Sequence, residues 1–590
     1  AIITMATEFL RSSLQVRAGL AKLLSRLLLA SLFLAGCSDP LNHRDDQQVV
    51  IYPAARIITM EPDHAFSEAV ATRGGRIVAV GTLATLKTQF SNDGFTLDTT
   101  FSDKFILPGF VEPHLHPSLA ALILPMHIVA AMEWPTPRGT SIAVRGQKAF
   151  LNRLRELDAS VQTPWLMVWG YHFPYHGPLS RQILDSISNT RPIMVWQRSV
   201  HEMYFNSKAL ETLELTADMF AGSEHANWEE GHLWETGLFT IGKPMMKLMA
   251  SPSNYLDGLT MMSQVIHRGG ITTVGEQGFP QVNEWLEYWS LWWELGESTP
   301  YRFALVPNAM FLLHQHDNNA IAAEEAASRI LERGNSKILP VKHMKYYADG
   351  AIFSQLMQLS EPYMDGHQGA WMMSQEHRTE VLRTFWDKGW NIHIHVNGDA
   401  GLDAVLDEVE RQRQTAPDPE RRVVLEHYGY ARPDQHRRVK ALNIAVSNNA
   451  YYVHELAPIY AEHGMGSARA KNISPLGGLA QAGVPISFHS DYPMAPAEPL
   501  TLAWAAVNRI GSDGNVWGEA QKLPLDIALR AITIEAAWSL GLDHEIGSVK
   551  VGKKADFTIL EQDPYAINPD DIRHIPIWGT VFEGKHYPLH

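Results

Sequence analysis

In the stretch "LPGFVEPHLHP", His114 and His116 stand two residues apart behind an apolar run that ends in Pro108-Gly109. On a strand, residues i and i+2 project to the same side, so both imidazoles can reach one ion. Imidazole nitrogen suits zinc and its first-row neighbours, and two such ligands supply half of a four-ligand site. Alone the pair says little, because an ordinary loop also carries two polar residues. Later runs enlarge the inventory with Glu276 in "GGITTVGEQG", Lys345 and Asp349 in "VKHMKYYADG", His393 and His395 in "NIHIHVNGD", His427 in "RRVVLEHYG", and His489 and Asp491 in "VPISFHSDYP".

Position within each run sorts these residues. His393 and His395 share a strand face, and His395 lies nearer the end that leads to Gly398-Asp399. His395 is therefore read as a ligand and His393 as a histidine of the core or one supporting the ligands. Glu426 and His427 are adjacent, and strand alternation lets only one of them face a site; the histidine is the better ligand. Asp491 can bind a metal and accept a proton from metal-activated water, or it can simply cap the helix that follows. Lys345 is the misfit, since an ammonium repels cations. By position alone it reads as salt-bridged or solvated, whereas a carbamate formed with carbon dioxide would reverse its sign.

The elements that must hold these residues follow a repeat of a β-branched run, a polar residue at its end and a helical stretch. Eight such runs occur, the five quoted last together with "KFILPGFVEPHLH", "YRFALVPN" and "NIAVSNN". Strands alternating with helices imply an α/β protein built on a (β/α)8 barrel, whose sites gather at the C-terminal ends of the strands. The barrel is expected over residues 109–544, with an insertion at about 120–255 lying over its mouth. Both chain ends read differently. "AVATRGGRIVAVG" looks like a hairpin turning at Gly74-Gly75, and "GSVKVGKKADFTIL" and "IPIWGTVFEGKHY" are β-rich. Residues 49–108 and 545–590 are expected to form one small composite β-sandwich.

The 590 residues carry 49 basic and 64 acidic side chains, a net charge of −15, with no long basic block. Nucleic acid is not an expected partner. The single cysteine, Cys37, excludes an internal disulfide framework and a cysteine-based zinc site. Arg11, Arg17, Lys22 and Arg26 precede the apolar run "LLLASLFLAG", too short to span a bilayer. That is the layout of a secretory signal peptide. Leu34-Ala35-Gly36-Cys37 also resembles a bacterial lipobox. The expectation is a leader over 1–37, a tether over 38–48, and a body held at the bacterial cell envelope, in the periplasm or at the outer membrane, by a lipid on Cys37.

Taken together, "LPGFVEPHLHP", "GGITTVGEQG", "MKYYADGA", "HIHVNGDAG", "VLEHYGY", "SFHSDYP" and "ALRAITIEAAWSLGL" before "IGSVKVGKKADFTIL" resemble the amidohydrolase superfamily, specifically its YtcJ-like family 3 branch, from about Val49 to the C-terminus. The resemblance implies a distorted (β/α)8 barrel with a composite β-sandwich, and one or two divalent metal ions, zinc being expected. It also implies the ligand sets. His114, His116, Lys345 and Asp491 would hold one ion, and a carboxylated Lys345, His395 and His427 the other. Asp491 would take the water proton and pass it to the leaving nitrogen, and His201, in "RSVHEMYFNSKAL", resembles a histidine that faces the substrate from the insertion. The family often has glycine where His489 stands.

The activity so implied is hydrolysis of a non-peptide carbon–nitrogen bond. A deaminase with one metal is the nearer alternative, and a surface lipoprotein that binds a ligand without catalysis is the more distant one. Trp134, Trp165, Trp169, Trp196, Trp228 and Trp234 crowd the insertion, and Trp289, Trp292 and Trp293 a helix. They read either as packing or as a pocket for aromatic or apolar amides. The assembly state is left open, a homodimer included.

Overall fold

A computed structural model describes residues 48–249, 252–281, 283–296 and 298–589. The expected leader, the lipobox cysteine and the tether up to residue 47 lie outside them. Among the described residues no helix is long and apolar enough to cross a membrane.

All eight of the repeating runs contain strands: β1 (Phe110–Leu115), β2 (Ile271–Phe279), β3 (Arg302–Pro307), β4 (His343–Tyr347), β5 (Asn391–Val396), β6 (Val423–His427), β7 (Ala445–Asn448) and β8 (Ile486–Phe488). They form two parallel sheets. One runs β1-β2-β3 with the short edge strand Ile338–Pro340, and the other β4-β5-β6-β7-β8. Parallel strands need crossovers, and helices such as Asp399–Thr415 and Pro433–Ala441 supply them. Nearly every strand residue is buried, as sheets covered on both faces require. The parallel register aligns Lys345 with His393, Tyr347 with His395, and His395 with Glu426. All the strand ends that carry chemistry therefore point one way. The sheets meet through an isolated bridge between Asn308 and Lys345, and through a bond from the Asp491 N–H to the His114 carbonyl.

The first run is not one strand. Phe105–Pro108 joins a different sheet and β1 starts after Gly109. A side chain at Gly109 would place its Cβ 2.2 Å from the Thr272 hydroxyl, so glycine alone permits this close crossing. The second sheet is built from both ends of the chain, with Phe557–Leu560 paired to Phe105–Pro108 and the path continuing through Val49–Ile58 to the hairpin strands Phe66–Arg73 and Arg76–Gly81. Gly74 and Gly75 have φ of 57° and 74°, as a two-residue turn of the primed type demands. Buried Arg302 of β3 fastens this sheet to the parallel ones through Asp556 at 2.6 Å and Glu583 at 3.1 Å.

The insertion proves to have a mixed six-stranded sheet of its own, from His127–Ile128 through Leu166–Tyr171, Ile193–Gln197 and Glu202–Phe205 to His232–Trp234 and Ala226–Asn227. Alternation divides its two faces. Val168 and Val195 pack into a local core with Phe150 and Leu154, while Trp169, Met194 and Trp196 join the main core. Beside that packing, a buried charge ties it to the rest of the molecule, Arg198. The guanidinium is 1% exposed, pairs with both oxygens of Glu455 at 3.1 and 2.9 Å, and donates to the carbonyls of Pro493 and Met494. It also lies 4.6 Å from the ring of Trp134, 4.9 Å from Trp169 and 4.7 Å from Phe353. Truncation would strand the Glu455 carboxylate in the interior, and breaking such a buried pair costs about 3–5 kcal/mol. Arg198→Ala should lower the urea midpoint by that equivalent, and unfolding indistinguishable from wild type would show that the contact carries no stability.

Candidate metal centre

The ends of β1, β4, β5 and β6 and the turn after β8 bring the expected ligands into one cluster. His114 Nε2 lies 3.3 Å from His116 Nε2 and 3.3 Å from Asp491 Oδ1, which is itself 3.2 Å from His116 Nε2. Lys345 Nζ stands 2.8 Å from His114 Nε2. His427 Nδ1 is 3.7 Å from Asp491 Oδ2, and the His395 ring lies 4.3 Å from that of His427. His114, His116 and Asp491 offer three donor atoms within 4.8 Å of one another, and so do His114, His427 and His489.

The hydrogen bonds behind this cluster decide its chemistry. His114 Nδ1 contacts Glu426 Oε2 at 2.7 Å, and His116 Nδ1 contacts Glu276 Oε1 at 3.1 Å. A carboxylate that accepts from Nδ1 fixes the proton there and leaves Nε2 a lone pair directed into the cluster; at His116 the Gln281 amide nitrogen also stands 3.1 Å from Nδ1. Two lone pairs and the Asp491 oxygen thus converge with Lys345 as the one donor among them. That arrangement repels itself unless a cation is shared. Buried His427 Nε2 and His489 Nε2 have no hydrogen-bond partner among the described residues, which adds two more free donor atoms. The residues present therefore fit a first-row divalent ion, with carboxylates behind its imidazoles as metal sites commonly have.

Electrostatics point the same way. Burial pushes the Asp491 carboxyl up, but His114, His116 and His427 outweigh it and hold the group well below its ordinary value. Burial pulls His116 down, yet Asp491 and Glu276 more than compensate, so the surroundings of this ring favour positive charge, which a bound cation would supply with the Nε2 lone pair kept. His395 and His427 are held far below the usual imidazole range, first by burial and then by their cationic neighbours. His489 falls to about 3 by burial. These three rings are neutral, as ligands must be.

Two expectations need correction. Lys345 is neither solvated nor salt-bridged: it is 1% exposed, it has no salt bridge among the described residues, and burial pushes it down to about 8 against the pull of Asp491, Glu426 and Glu276. Glu426 and His427 also both face the cluster, although strand alternation forbids it. The reason is local, since His427 has φ 74° and Tyr428 φ 51°, and the left-handed turn swings the His427 side chain round to the side that Glu426 occupies. Asp491 adopts φ 51° as well, and such strain is commonly held at functional positions.

Other residues of the inventory sort differently. Glu426 Oε1 reaches His393 Nδ1 at 2.6 Å, and His393 Nε2 contacts His343 Nδ1 at 3.0 Å, so His393 lies behind the ligands. His489 Nδ1 contacts the Ser447 hydroxyl at 2.8 Å. Asp349 is structural: its oxygens accept from the backbone of Gln358, Asn397 and Gly398, and burial pushes it up to about 7. Glu426, Glu235 and Tyr452, whose hydroxyl lies 3.1 Å from His427 Nδ1, were not singled out from the sequence; only Glu426, beside His427, carried any signal there.

Over the cluster opens a cavity of about 200 Å³, lined by His116, Lys345, His395, His427 and Asp491 below and by Ser199, His201 and Glu235 of the insertion above. Its apolar wall includes Leu119, Leu238, Met310, Phe311, Phe353 and Met372. None of the nine tryptophans lines it. Trp134 and Trp169 are fully buried beside Arg198, which favours the packing role for that pair.

Comparison with known proteins gives the family and the fold. A family model described as "Amidohydrolase family" matches residues 102–587, and one for the bacterial imidazolonepropionase-like composite domain matches residues 69–90. The chain is 24% identical over 556 residues to an N-substituted formamide deformylase of Arthrobacter pascens, covering 90% of this chain and 96% of that protein. It is 24% identical over 555 residues to the putative amidohydrolase YtcJ of Bacillus subtilis, covering 91% and 98%. In fold it is similar to an uncharacterized metal-dependent hydrolase from Pyrococcus horikoshii, with a TM-score of 0.68, 20% identity, and coverage of 88% of this chain and 99% of that one.

Removing the carboxylate behind a metal-bound histidine typically costs 10–100-fold in metal affinity. Glu426→Gln and Glu276→Gln should each weaken zinc binding by about that factor in a calorimetric titration. Unchanged affinity would mean that neither carboxylate orients its imidazole.

Proposed function

Because the chain belongs to the amidohydrolase family, we propose that it is a metal-dependent hydrolase cleaving a non-peptide carbon–nitrogen bond, an amide, formamide, cyclic amide or carbamate, in a small molecule with an apolar substituent. The observation that carries this reading is the convergence of His114 Nε2, His116 Nε2 and Asp491 Oδ1 beneath a cavity with a partly apolar lining. The formamide deformylase relative supports the choice of bond, and the Met310, Phe311 and Met372 wall supports the apolar substituent.

His114, His116, Lys345 and Asp491 would hold one ion, and Lys345, His395 and His427 a second. Zinc, when bound, lowers the pKa of water and polarises a carbonyl. The chain's own part is positioning and proton transfer. Glu426 and Glu276 fix the tautomers of the β1 histidines. Asp491, held ionised, accepts the proton that water loses as its oxygen attacks. The apolar wall and the insertion exclude bulk water from the reacting carbonyl.

Three further parts belong to the same proposal. The two parallel sheets form one distorted (β/α)8 barrel, for which the Asn308–Lys345 bridge and the Asp491–His114 bond are the support. Lys345 is carboxylated by carbon dioxide, since a buried amine without a carboxylate partner gains most from becoming an anion between two cations. The body is held at the bacterial envelope through Cys37, on the strength of Leu34-Ala35-Gly36-Cys37.

The test is a hydrolysis screen with zinc and bicarbonate supplied, across N-acyl amines, formamides, cyclic imides and carbamates. At least one class should turn over, and Asp491→Asn should slow it by about 10²–10⁴-fold. Absence of turnover throughout, or full activity in that variant, would refute the reading.

A further inference from the structure

We propose that Glu235 positions His201 as the acid that protonates the leaving nitrogen from the insertion's side of the cavity. This rests on the carbon–nitrogen hydrolase reading and assigns its second proton transfer to residues of the insertion.

The two side chains form a dyad. Glu235 Oε2 accepts a 2.8 Å hydrogen bond from His201 Nδ1, and the Glu235 N–H donates to the His201 carbonyl at 2.9 Å. Glu235 follows the insertion strand His232–Trp234, which pairs with Glu202–Phe205, so adjacent strands of one sheet hold both partners. The Glu235 side chain is 1% exposed and that of His201 is 19% exposed. With Nδ1 engaged, Nε2 is the nitrogen left free for the cavity that both residues line, and the His201 ring stands 6.1 Å from that of His395. Glu235 adopts φ 43°, a backbone conformation that costs energy in a residue with a Cβ. Its Oε1 has no hydrogen-bond partner among the described residues, so the buried negative charge is balanced chiefly by His201. Burial opposes charge on His201, but Glu235 outweighs it and raises the imidazole above its ordinary value.

Asp491 is poorly placed for the same task. Asp491 Oδ1 is shared by His114 and His116 at 3.3 and 3.2 Å, and Oδ2 faces His427 at 3.7 Å. Its oxygens face three imidazoles, and in the proposed reaction it already takes the water proton. His201 lines the same cavity from the insertion, and its Nε2 has no hydrogen bond among the described residues.

In the step itself the carbon–nitrogen bond breaks with its electron pair passing to nitrogen. Nitrogen takes the proton from His201 Nε2 and departs as the amine, and His201 is left neutral with Nδ1–H still on Glu235. The water oxygen stays on the acyl carbon and the water proton on Asp491, from which solvent returns it to His201. His201 is then a catalytic residue and Glu235 a positioning residue.

An acid matters most when the amine is a poor leaving group, which separates this role from a structural one. Glu235→Gln keeps a hydrogen-bond acceptor for Nδ1–H but removes the charge. Across N-aryl and N-alkyl amides or formamides of graded amine basicity, Glu235→Gln and His201→Asn should lower kcat by about 10²-fold or more on the most basic amines. The loss should shrink toward none on nitroanilines, with KM little changed and wild-type zinc content. Glu235→Asp should recover part of the activity. A loss that is uniform across the series, or no loss, overturns the proposal while the hydrolase reading stands. Failure of the wild type to cleave these amides overturns the acid role, and failure on every class of the wider screen overturns the hydrolase reading as well, with zinc content showing whether the metal site survives.

Discussion

Three electron-pair donors held within about hydrogen-bonding distance of one another, with their protons turned outward, form the constraint around which this molecule is arranged. His114 Nε2, His116 Nε2 and Asp491 Oδ1 would not share so small a space unless their other atoms were fixed. Glu426 and Glu276 do the fixing, and both lie in the strand interior where water cannot compete. Parallel strands bring all of these groups to one end, and the near-total burial of the strands keeps the local dielectric low enough for the pairings to hold direction. The cluster, the polar layer beneath it through His393 and His343, and the buried Lys345 are parts of one hydrogen-bonded assembly.

Arg198 is the buried charge that joins the insertion to the strand-end turns, beside the insertion's packing into the main core. Its guanidinium spends its donors on Glu455 and on the carbonyls of Pro493 and Met494, two and three residues beyond Asp491. The turn that carries the candidate base and the sheet that carries His201 are thereby fixed to one buried charge. Placement of the upper wall of the cavity relative to the lower one is thus set by a side chain that touches neither substrate nor metal.

Much of the parallel architecture can be read from the chain, because short β-branched runs ending in polar residues alternate with helical text, and every one of those runs holds a strand. The insertion's six strands escape such reading. Several are two to four residues long, and their two faces serve two cores, so no apolar alternation against solvent marks them. At the candidate site the histidines and Asp491 stand out by type and place. Glu426 does not, since the rule that one strand residue faces in and the next faces out hides it, and only the left-handed backbone at His427 and Tyr428 breaks that rule. The environment of Lys345 is equally hidden, because burial is a property of what the rest of the chain puts around it.

The pairing of Phe105–Pro108 with Phe557–Leu560 has a consequence for when the protein can become itself. The inner edge of the N-terminal strands emerges from the ribosome without its partner, which is made about 450 residues later, roughly 20–90 s at ~5–20 residues per second. Until then a strand that leads directly through Gly109 into the two β1 histidines lacks a neighbour on one side. Completion of that pairing, and with it the anchoring of the candidate metal ligands, waits on synthesis of Phe557–Leu560, and a chain released or cleaved before Phe557 would leave that edge free to pair with another copy.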